Sequence, residues 1–301
     1  MQPQSKDWIK NAQFNEIYGQ ETIKLQLKAA LLAERNIILV GPPGIGKTTL
    51  AKNVANALPG QHKDRFIRVQ GSPDLTAEDL IGDIDPLKAL QYGPLSQEAF
   101  TPGKLFKADG GVLFFDEINR CSEKLQNALL QALEEHIVTI SGYTTDFTAD
   151  FILIATMNPE DTSTEPLSDV FLDRFDLLYM NYPETQEIEE QIVKQKGKHL
   201  TTFPDHLLSG ILAFIRRLRA SDKLEKHPSV RASLGIYEQA QAITKLKDKD
   251  AVTMEEIHTV LKSVLAHRIR LKPSMKYLQS PEEFVTNEFR DFWEKKHADG
   301  L

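Results

Sequence analysis

The chain has 301 residues, 41% hydrophobic and 26% charged, and a formal charge of −7 from 36 Lys and Arg against 43 Asp and Glu. This is the composition of an ordinary globular protein with a length suited to about two domains. The acidic balance disfavours broad nucleic-acid binding by net charge and leaves only a local basic patch to do it. The single cysteine, Cys121, cannot form an internal disulfide, which points away from an oxidising compartment and to a structurally neutral thiol. No apolar run approaches the ~18 residues of a membrane span. Gln2, Gln4, Lys6 and Asp7 leave no signal-peptide core at the amino end, so a cytoplasmic protein without membrane contact is expected.

The first strong element is the apolar run 36–40, predicted as a buried strand, followed by Gly41-Pro42-Pro43-Gly44-Ile45-Gly46-Lys47-Thr48-Thr49 and a helical pattern from Leu50. Further strand-like runs fall at 66–70, 112–115, 151–156 and 177–180, with helical patterns between them. Strands that are apolar throughout and alternate with helices indicate an α/β fold with a mostly parallel sheet covered on both faces. Two stretches break the alternation. Residues 82–111, with Pro86, Pro94, Pro102 and several glycines, are too long for an ordinary connection and predict an insertion with its own structure or a functional loop. Residues 136–151 read as a β-hairpin whose turn is Ser141-Gly142-Tyr143-Thr144-Thr145. Pro183 ends the strand signal, Thr185 is placed to cap a helix, and the remainder is helical. In it Leu207, Leu208, Ile211, Leu212, Phe214, Ile215 and Leu218 form one apolar stripe. The expected division is an α/β domain over 1–182 and a small all-α domain over 183–301.

The spacing G-x-x-x-x-G-K-T between a strand and a helix is what a nucleotide phosphate chain needs. Gly41, Gly44 and Gly46 can take backbone angles closed to other residues, which turns successive N–H groups inward around phosphate oxygens. Lys47 adds a point charge and Thr48 a hydroxyl suited to Mg²⁺. A plain strand–helix turn would explain one glycine but not the lysine and hydroxyl at fixed offsets. The run 112–115 ends in Asp116 and Glu117, and ligands of open α/β sheets sit beyond the carboxyl ends of the strands. Asp116 suits a direct or outer-shell Mg²⁺ ligand and Glu117 the base that polarises an attacking water. The same acidic pair is also ordinary chemistry for a helix start. Asn158 ends the next strand with an amide that can hold a water against a γ-phosphate, or it is the turn residue before Pro159.

The order of these motifs resembles an AAA+ ATPase, and more narrowly the MoxR and magnesium-chelatase ATPase-subunit group. Walker A is 41–49, Walker B is 114–117, sensor 1 is Asn158, and Leu172-Asp173-Arg174-Phe175 and Ser229-Val230-Arg231-Ala232 follow. The wording of 116–120, 129–135 and 155–159 is similar to that group, and the resemblance runs from about Ile17 to about Arg270. It implies an α/β core carrying a helical lid, with ATP and Mg²⁺ bound between the two and against a neighbouring subunit of a homo-oligomeric, hexameric ring. It also implies an adenine pocket lined by 17–20, with Tyr18 and Gly19 in it, a helix-two insertion at 82–103 and a pre-sensor hairpin at 136–150. Arg174 matches the arginine that reaches the next subunit's γ-phosphate, an interaction worth ~10³ to 10⁵ in rate. An ion pair with Asp173 or Asp176 is its plainer role. Arg231 matches the sensor 2 arginine, which contacts nucleotide from its own chain, and a surface arginine at a helix start is the plainer account. Arg120 is a weaker candidate for a second group acting across the interface.

Three functions compete for the energy of hydrolysis. One is a MoxR-like chaperone that remodels or activates a protein partner, often one with a von Willebrand factor A domain. Another is the ATPase subunit of a magnesium chelatase. The third is a nucleic-acid motor, which needs a basic residue on the hairpin tip, whereas 141–146 contain no Lys or Arg. The best basic cluster, 267–272, is expected on a solvated face of a late helix, with Leu265 and Ile269 on the packed side. Ser229-Val230-Arg231-Ala232-Ser233 and the short stretch 184–228 look closer to the MoxR form than to the chelatase form. An ATP-hydrolysing MoxR-type ring acting on a protein is therefore expected, and nucleic acid is not.

Overall fold

The computed structural model describes residues 6–60, 65–93, 96–135, 137–139, 146–148, 150–159 and 167–298. The chain divides into two compact units, one of Met1–Pro42 with Gly46–Met180, the other of Pro43–Ile45 with Asn181–Leu301.

The first unit is built on a five-stranded sheet. Its strands in chain order are β1 (Asn36–Val40), β2 (Phe66–Gln70), β3 (Gly82–Ile84), β4 (Phe100–Pro102), β5 (Val112–Asp116), β6 (Ile137–Thr139), β7 (Asp146–Thr148), β8 (Ile152–Met157) and β9 (Phe175–Tyr179). The main sheet runs β2-β5-β8-β1-β9, and every neighbouring pair is parallel. Parallel neighbours need crossovers, and burial on both faces selects continuous apolar runs. Accordingly Ile37, Ile38, Leu39, Val112, Leu113, Phe114, Phe115, Leu153, Ile154 and Ala155 are all fully buried. One layer of the core joins this sheet to Leu125, Leu129, Leu130 and Leu133 of the helix Glu123–Glu135. Cys121 is buried there, and burial pushes its thiol up to about 11, which leaves it an apolar packing group.

The two interruptions of the α/β alternation take form as follows. Residues 82–103 hold the antiparallel ribbon β3–β4 and the helix Pro86–Tyr92, capped by the Asp85 carboxylate, which accepts from the N–H groups of Leu87 and Lys88. That helix has no buried residue, and Leu87 and Leu90 are 78% and 87% exposed. Strands β6 and β7 pair antiparallel from Ile137↔Thr148 to Thr139↔Asp146. The expected tip, 141–145, lies outside the described residues.

In the second unit the helices Gln186–Lys196, Asp205–Arg219, Val230–Leu246, Met254–Leu265 and Pro281–Ala298 dominate. The stripe of Asp205–Arg219 is buried along its whole length, packed with Ile236, Ala240, Ile257, Leu261, Phe284 and Phe289. Thr185 caps the first helix by accepting from Ile188 N–H. One feature departs from a purely helical reading. The short strands β10 (Leu224–Lys226) and β11 (Arg270–Leu271) pair antiparallel, so the basic run 267–272 does not lie on a late helix. It forms a 3₁₀ turn, Ala266–Arg268, and then β11. Pro273 keeps the end of this run extended, because the residue before a proline is pushed to extended backbone, and Lys272 sits at φ −60°, ψ 153°. Leu265 and Ile269 are buried, as their spacing required.

Two buried carboxylates tie the helices of this unit together. Glu189, fully buried, accepts a bidentate pair from Arg219 Nη1 and Nη2 at 2.6 and 2.7 Å and a third bond from Ser233 Oγ. The Arg219 guanidinium also donates from Nε to Pro228 O at 2.8 Å and stacks on Tyr182 at 4.6 Å. Glu256, also fully buried, closes the capping box at Thr253. It accepts from Lys249 at 2.8 Å and Lys247 at 3.1 Å. The Lys249 ammonium, then the Thr253 hydroxyl, hold its pKa well below the usual carboxylate range despite burial.

A buried ion is tolerated only while it is paired. Arg219→Ala should therefore cost ~3–5 kcal/mol in denaturant unfolding, while Arg219→Met combined with Glu189→Leu should cost much less. Because the folded pKa of Glu256 is depressed, its contribution is present above ~4.5 and is lost as pH falls below that value toward the folded pKa. Thermal melts across pH 3 to 6 should show Glu256→Gln less stable at the upper end, with the gap to the native protein narrowing steadily below pH ~4.5. Parallel curves would show that Glu256 does not set this acid limb.

Candidate functional site

The loop after β1 takes left-handed angles at its three glycines, with φ of 155° at Gly41, 77° at Gly44 and 100° at Gly46. Side chains other than glycine rarely adopt them. Gly46 caps the helix Lys47–Ala57, whose first N–H groups have no intrahelical acceptor and suit an anion. A Cβ on Gly46 would come within 3.2 Å of Ile17 Cδ1, so 17–20 pass against the loop. Tyr18 and Gly19 are half-buried there, and Gly19 and Gln20 have positive φ. Lys47 Nζ donates to the carbonyls of Gly41 and Pro42, the latter at 2.9 Å, which holds the ammonium across the loop. Pro42, Pro43, Ile45, Thr48 and Thr49 are half-buried along it.

At the carboxyl end of β5, Asp116 and Glu117 are held by groups from both flanking strands. Asp116 Oδ1 accepts from Thr156 Oγ1 of β8 at 2.7 Å, and the same hydroxyl accepts from Glu117 N–H at 2.9 Å. Asp116 Oδ2 accepts from Arg68 Nη2 of β2 at 2.6 Å. Glu117 Oε2 accepts from Gln70 Nε2 at 3.0 Å and lies 3.3 Å from Arg120 Nε. The Glu117 backbone is left-handed, φ 55° and ψ 52°, which aims its carboxylate away from the strand axis at a cost of ~1–3 kcal/mol. Its carbonyl leaves no room for a side chain on Gly71, where a Cβ would lie 2.1 Å from Glu117 O. Arg68, Gln70, Gly71 and Thr156 were not singled out in the sequence. Only the polar residues interrupting the apolar runs of β2 and β8 hinted at them.

The other expected residues are placed as follows. Asn158 follows β8 directly and is half-buried. Arg174 is half-buried just before β9 and donates from Nη1 to Val170 O at 2.6 Å. Asp176, one of the carboxylates considered for it, pairs with Arg35 at 3.3 Å. Arg120 lies on Glu117 of its own chain. Arg231 is exposed in the first turn of Val230–Leu246. Within the second unit, which takes in Pro43–Ile45, a Cβ on Gly44 would meet Arg231 Cγ at 2.9 Å and Ser229 Oγ at 3.1 Å.

Thr48 and Asp116 are hard oxygen donors of the kind Mg²⁺ takes when it keeps several waters and shares phosphate oxygens. Among the described residues no group of three or more His, Cys, Asp and Glu could hold a metal by itself. The site therefore fits a cation that arrives with a phosphate chain. No helix among the described residues is long and apolar enough to cross a membrane.

A phosphate-type loop and an acid pair on one edge of this parallel sheet, joined to a helical unit, define a nucleotide-hydrolysing protein. Residues 36–175 match the AAA domain (dynein-related subfamily), and 216–288 match the AAA lid domain. Uncharacterized protein YeaC of Bacillus subtilis is 31% identical, the match covering 90% of this chain and 88% of YeaC. Chaperone MoxR1 of Mycobacterium tuberculosis is 29% identical, covering 85% and 73% of the two chains. The magnesium-chelatase 38 kDa subunit of Chlorobaculum parvum is 28% identical, covering 86% and 92%. The chain belongs to the AAA+ ATPases, in the group that holds MoxR and the magnesium-chelatase ATPase subunits. Its activity is the hydrolysis of ATP.

Gly71→Ala should push the Asp116–Glu117 turn out of place. Nucleotide affinity, read by fluorescent-nucleotide titration, should persist, while phosphate release should fall about 10²-fold, as misplacement of ~1 Å does. Unaltered turnover would show that the turn tolerates the shift.

Proposed function

We propose that the chain is a Mg²⁺-dependent, ring-forming ATPase of MoxR type that remodels or activates a protein partner in the cytoplasm. The observation that carries this reading is the convergence of the glycine loop and the Asp116–Glu117 turn on one sheet edge. The likeness to chaperone MoxR1 over 85% of the chain sets the direction. In this reading 1–182 form the nucleotide domain and 183–301 the lid.

Residues Gly41 to Thr49 cradle the phosphates, with Lys47 as the fixed charge, and Tyr18 and Gly19 border the base. Thr48 and Asp116 hold Mg²⁺, which when bound supplies positive charge between the phosphates. Glu117 orients and polarises the attacking water, and Asn158 holds that water from the neighbouring strand end. Arg231 neutralises phosphate charge in its own chain, and Arg174 does so across the ring interface, where such a group is worth ~10³ to 10⁵ in rate. The partner is a protein client or a protein with a von Willebrand factor A domain.

The second reading is a chelatase ATPase subunit. Alignment lengths favour the first: the chelatase alignment takes 326 positions to cover 86% of this chain, whereas the MoxR1 alignment takes 287 to cover 85%. The chelatase subunit thus carries more inserted chain that this protein lacks.

Lys47→Ala is expected to lose nucleotide binding, and Glu117→Gln to bind ATP without turning it over. Arg174→Ala should bind ATP yet lose ~10³-fold or more in turnover. Mixing it with Lys47→Ala subunits should restore part of the activity, since each defect is then completed by a neighbour. Absence of rescue at every mixing ratio would place Arg174 in its own chain's chemistry or structure. Normal hydrolysis by Glu117→Gln would remove that residue from its role.

A further inference from the structure

The helices Val230–Leu246 and Met254–Leu265 pack side by side in the second unit. Near the start of the first and the end of the second, a Cβ on Gly235 would lie 2.9 Å from Val264 Cγ1. Glycine weakens a helix interior, and here its missing side chain lets the two helices approach closely. Because the start of one meets the end of the other, they run in opposite senses. Arg231 stands one helical turn before Gly235, and Arg268 four residues after Val264. Both arginines therefore come to the same end of the helix pair.

That end adjoins the glycine loop, since Pro43–Ile45 belong to the same unit and the Arg231 stem lies against Gly44. Arg268 sits half-buried in the turn Ala266–Arg268, whereas the other cations of 267–272, His267, Arg270 and Lys272, are exposed. Its Nη1 donates to Val264 O, which leaves most of the five guanidinium N–H groups uncommitted. Among the described residues no carboxylate pairs with Arg231 or Arg268. Burial, then the charge of Arg231, lowers the Arg268 guanidinium from its ordinary value. Two like charges held near each other, one partly out of water, are unfavourable without a counterion. Neither is free to drift apart. Arg219 and Ser233, through Pro228 and Glu189, hold both sides of the helix start that carries Arg231, and Arg268 is followed by buried Ile269 and by β11. An anion lying between them turns the repulsion into attraction.

We propose that Arg268 is a second phosphate-binding arginine, which with Arg231 grips the terminal phosphate of ATP beside the glycine loop. This rests on the reading of Arg231 as the arginine that neutralises phosphate charge in its own chain. Two guanidinium groups offer several charge-assisted hydrogen bonds to one phosphate, so a triphosphate gains more from the pair than a diphosphate does.

The test is equilibrium binding of two fluorescent nucleotides, N-methylanthraniloyl-ADP and the N-methylanthraniloyl derivative of non-hydrolysable β,γ-imido-ATP, beside thermal melts of the nucleotide-free proteins. In Arg268→Gln the affinity for the triphosphate should fall about tenfold, the scale of a hydrogen bond to a charged group, and that for ADP about threefold or less. Arg268→Lys, which keeps the charge, should recover part of the loss. The nucleotide-free melt of Arg268→Gln should be unchanged or higher, because a repulsion has been removed. Equal losses for the two nucleotides, or no loss for either, would overturn the proposal. A lower nucleotide-free melt with triphosphate affinity unchanged would overturn it too, leaving Arg268 a structural role alone. Arg231→Gln separates the two readings. If it also leaves triphosphate affinity intact, the reading of Arg231 falls and the proposal with it; if it weakens the triphosphate while Arg268→Gln does not, the assignment of Arg268 alone fails.

Discussion

Glu117 occupies a backbone conformation that costs energy for any residue with a Cβ, and the carboxyl edge of the sheet is organised around keeping it there. Its N–H donates to Thr156 Oγ1, its carbonyl accepts from Arg120 N–H at 3.0 Å, and its preceding residue is pinned by Gly71 N–H donating to Asp116 O at 2.7 Å. Gly71 must lack a side chain for that approach. The result is a turn in which one carboxylate is held by Thr156 of β8 and Arg68 of β2, the other by Gln70 of β2 and by Arg120. Adjacent acids that faced the same way would repel and share one fate. Here each has its own set of donors, which is what separate chemical tasks require.

Such a turn depends on the sheet order. β5 sits between β2 and β8, so the donors to its last residues come from chain segments some forty positions away on either side. Parallel pairing sets their height: Gln70 lies beside Asp116, and Phe115 beside Ala155, one position before Thr156. The apolar interior of the sheet, with Leu113, Phe115, Leu153 and Ala155 fully buried, makes slippage costly, because a shift by one residue would turn each strand's faces over. Core packing on β5 and β8 thus supplies the positional accuracy that the acids use.

This also explains what was legible in the sequence. The glycine loop could be read because its requirement is local: three glycines at left-handed angles, a lysine and a hydroxyl within nine residues. β1 and β2 were legible to the residue because each is a short run rich in β-branched or aromatic residues between clear breaks, and the stripe of Asp205–Arg219 because helical period and burial coincide. Arg68, Gln70 and Gly71 were not legible, since their significance lies in which strand is adjacent, and adjacency in a parallel sheet is not written in sequence order. The pair β10 and β11 was hidden for another reason. Three and two residues carry no period, and Leu224 and Leu271 disclose themselves only as two buried positions facing each other.

The two units use charge in opposite ways, and the difference follows burial. Glu189 and Arg219, 0% and 8% exposed as side chains, satisfy each other at both oxygens. They also hold Pro228 and Ser233 on either side of the helix start that carries Arg231. Removing either partner strands a charge away from water, so this arrangement has one state. Arg68 and Glu117 are 53% and 34% exposed as side chains, and water can replace any partner they lose, so their bonds can be exchanged at little cost. An enzyme that cycles between nucleotide states needs both kinds. The helix start that carries Arg231 is held in one position, and the carboxylates at the end of β5 can change partners. The depth of each network, more than the identity of its residues, decides which of the two it can be.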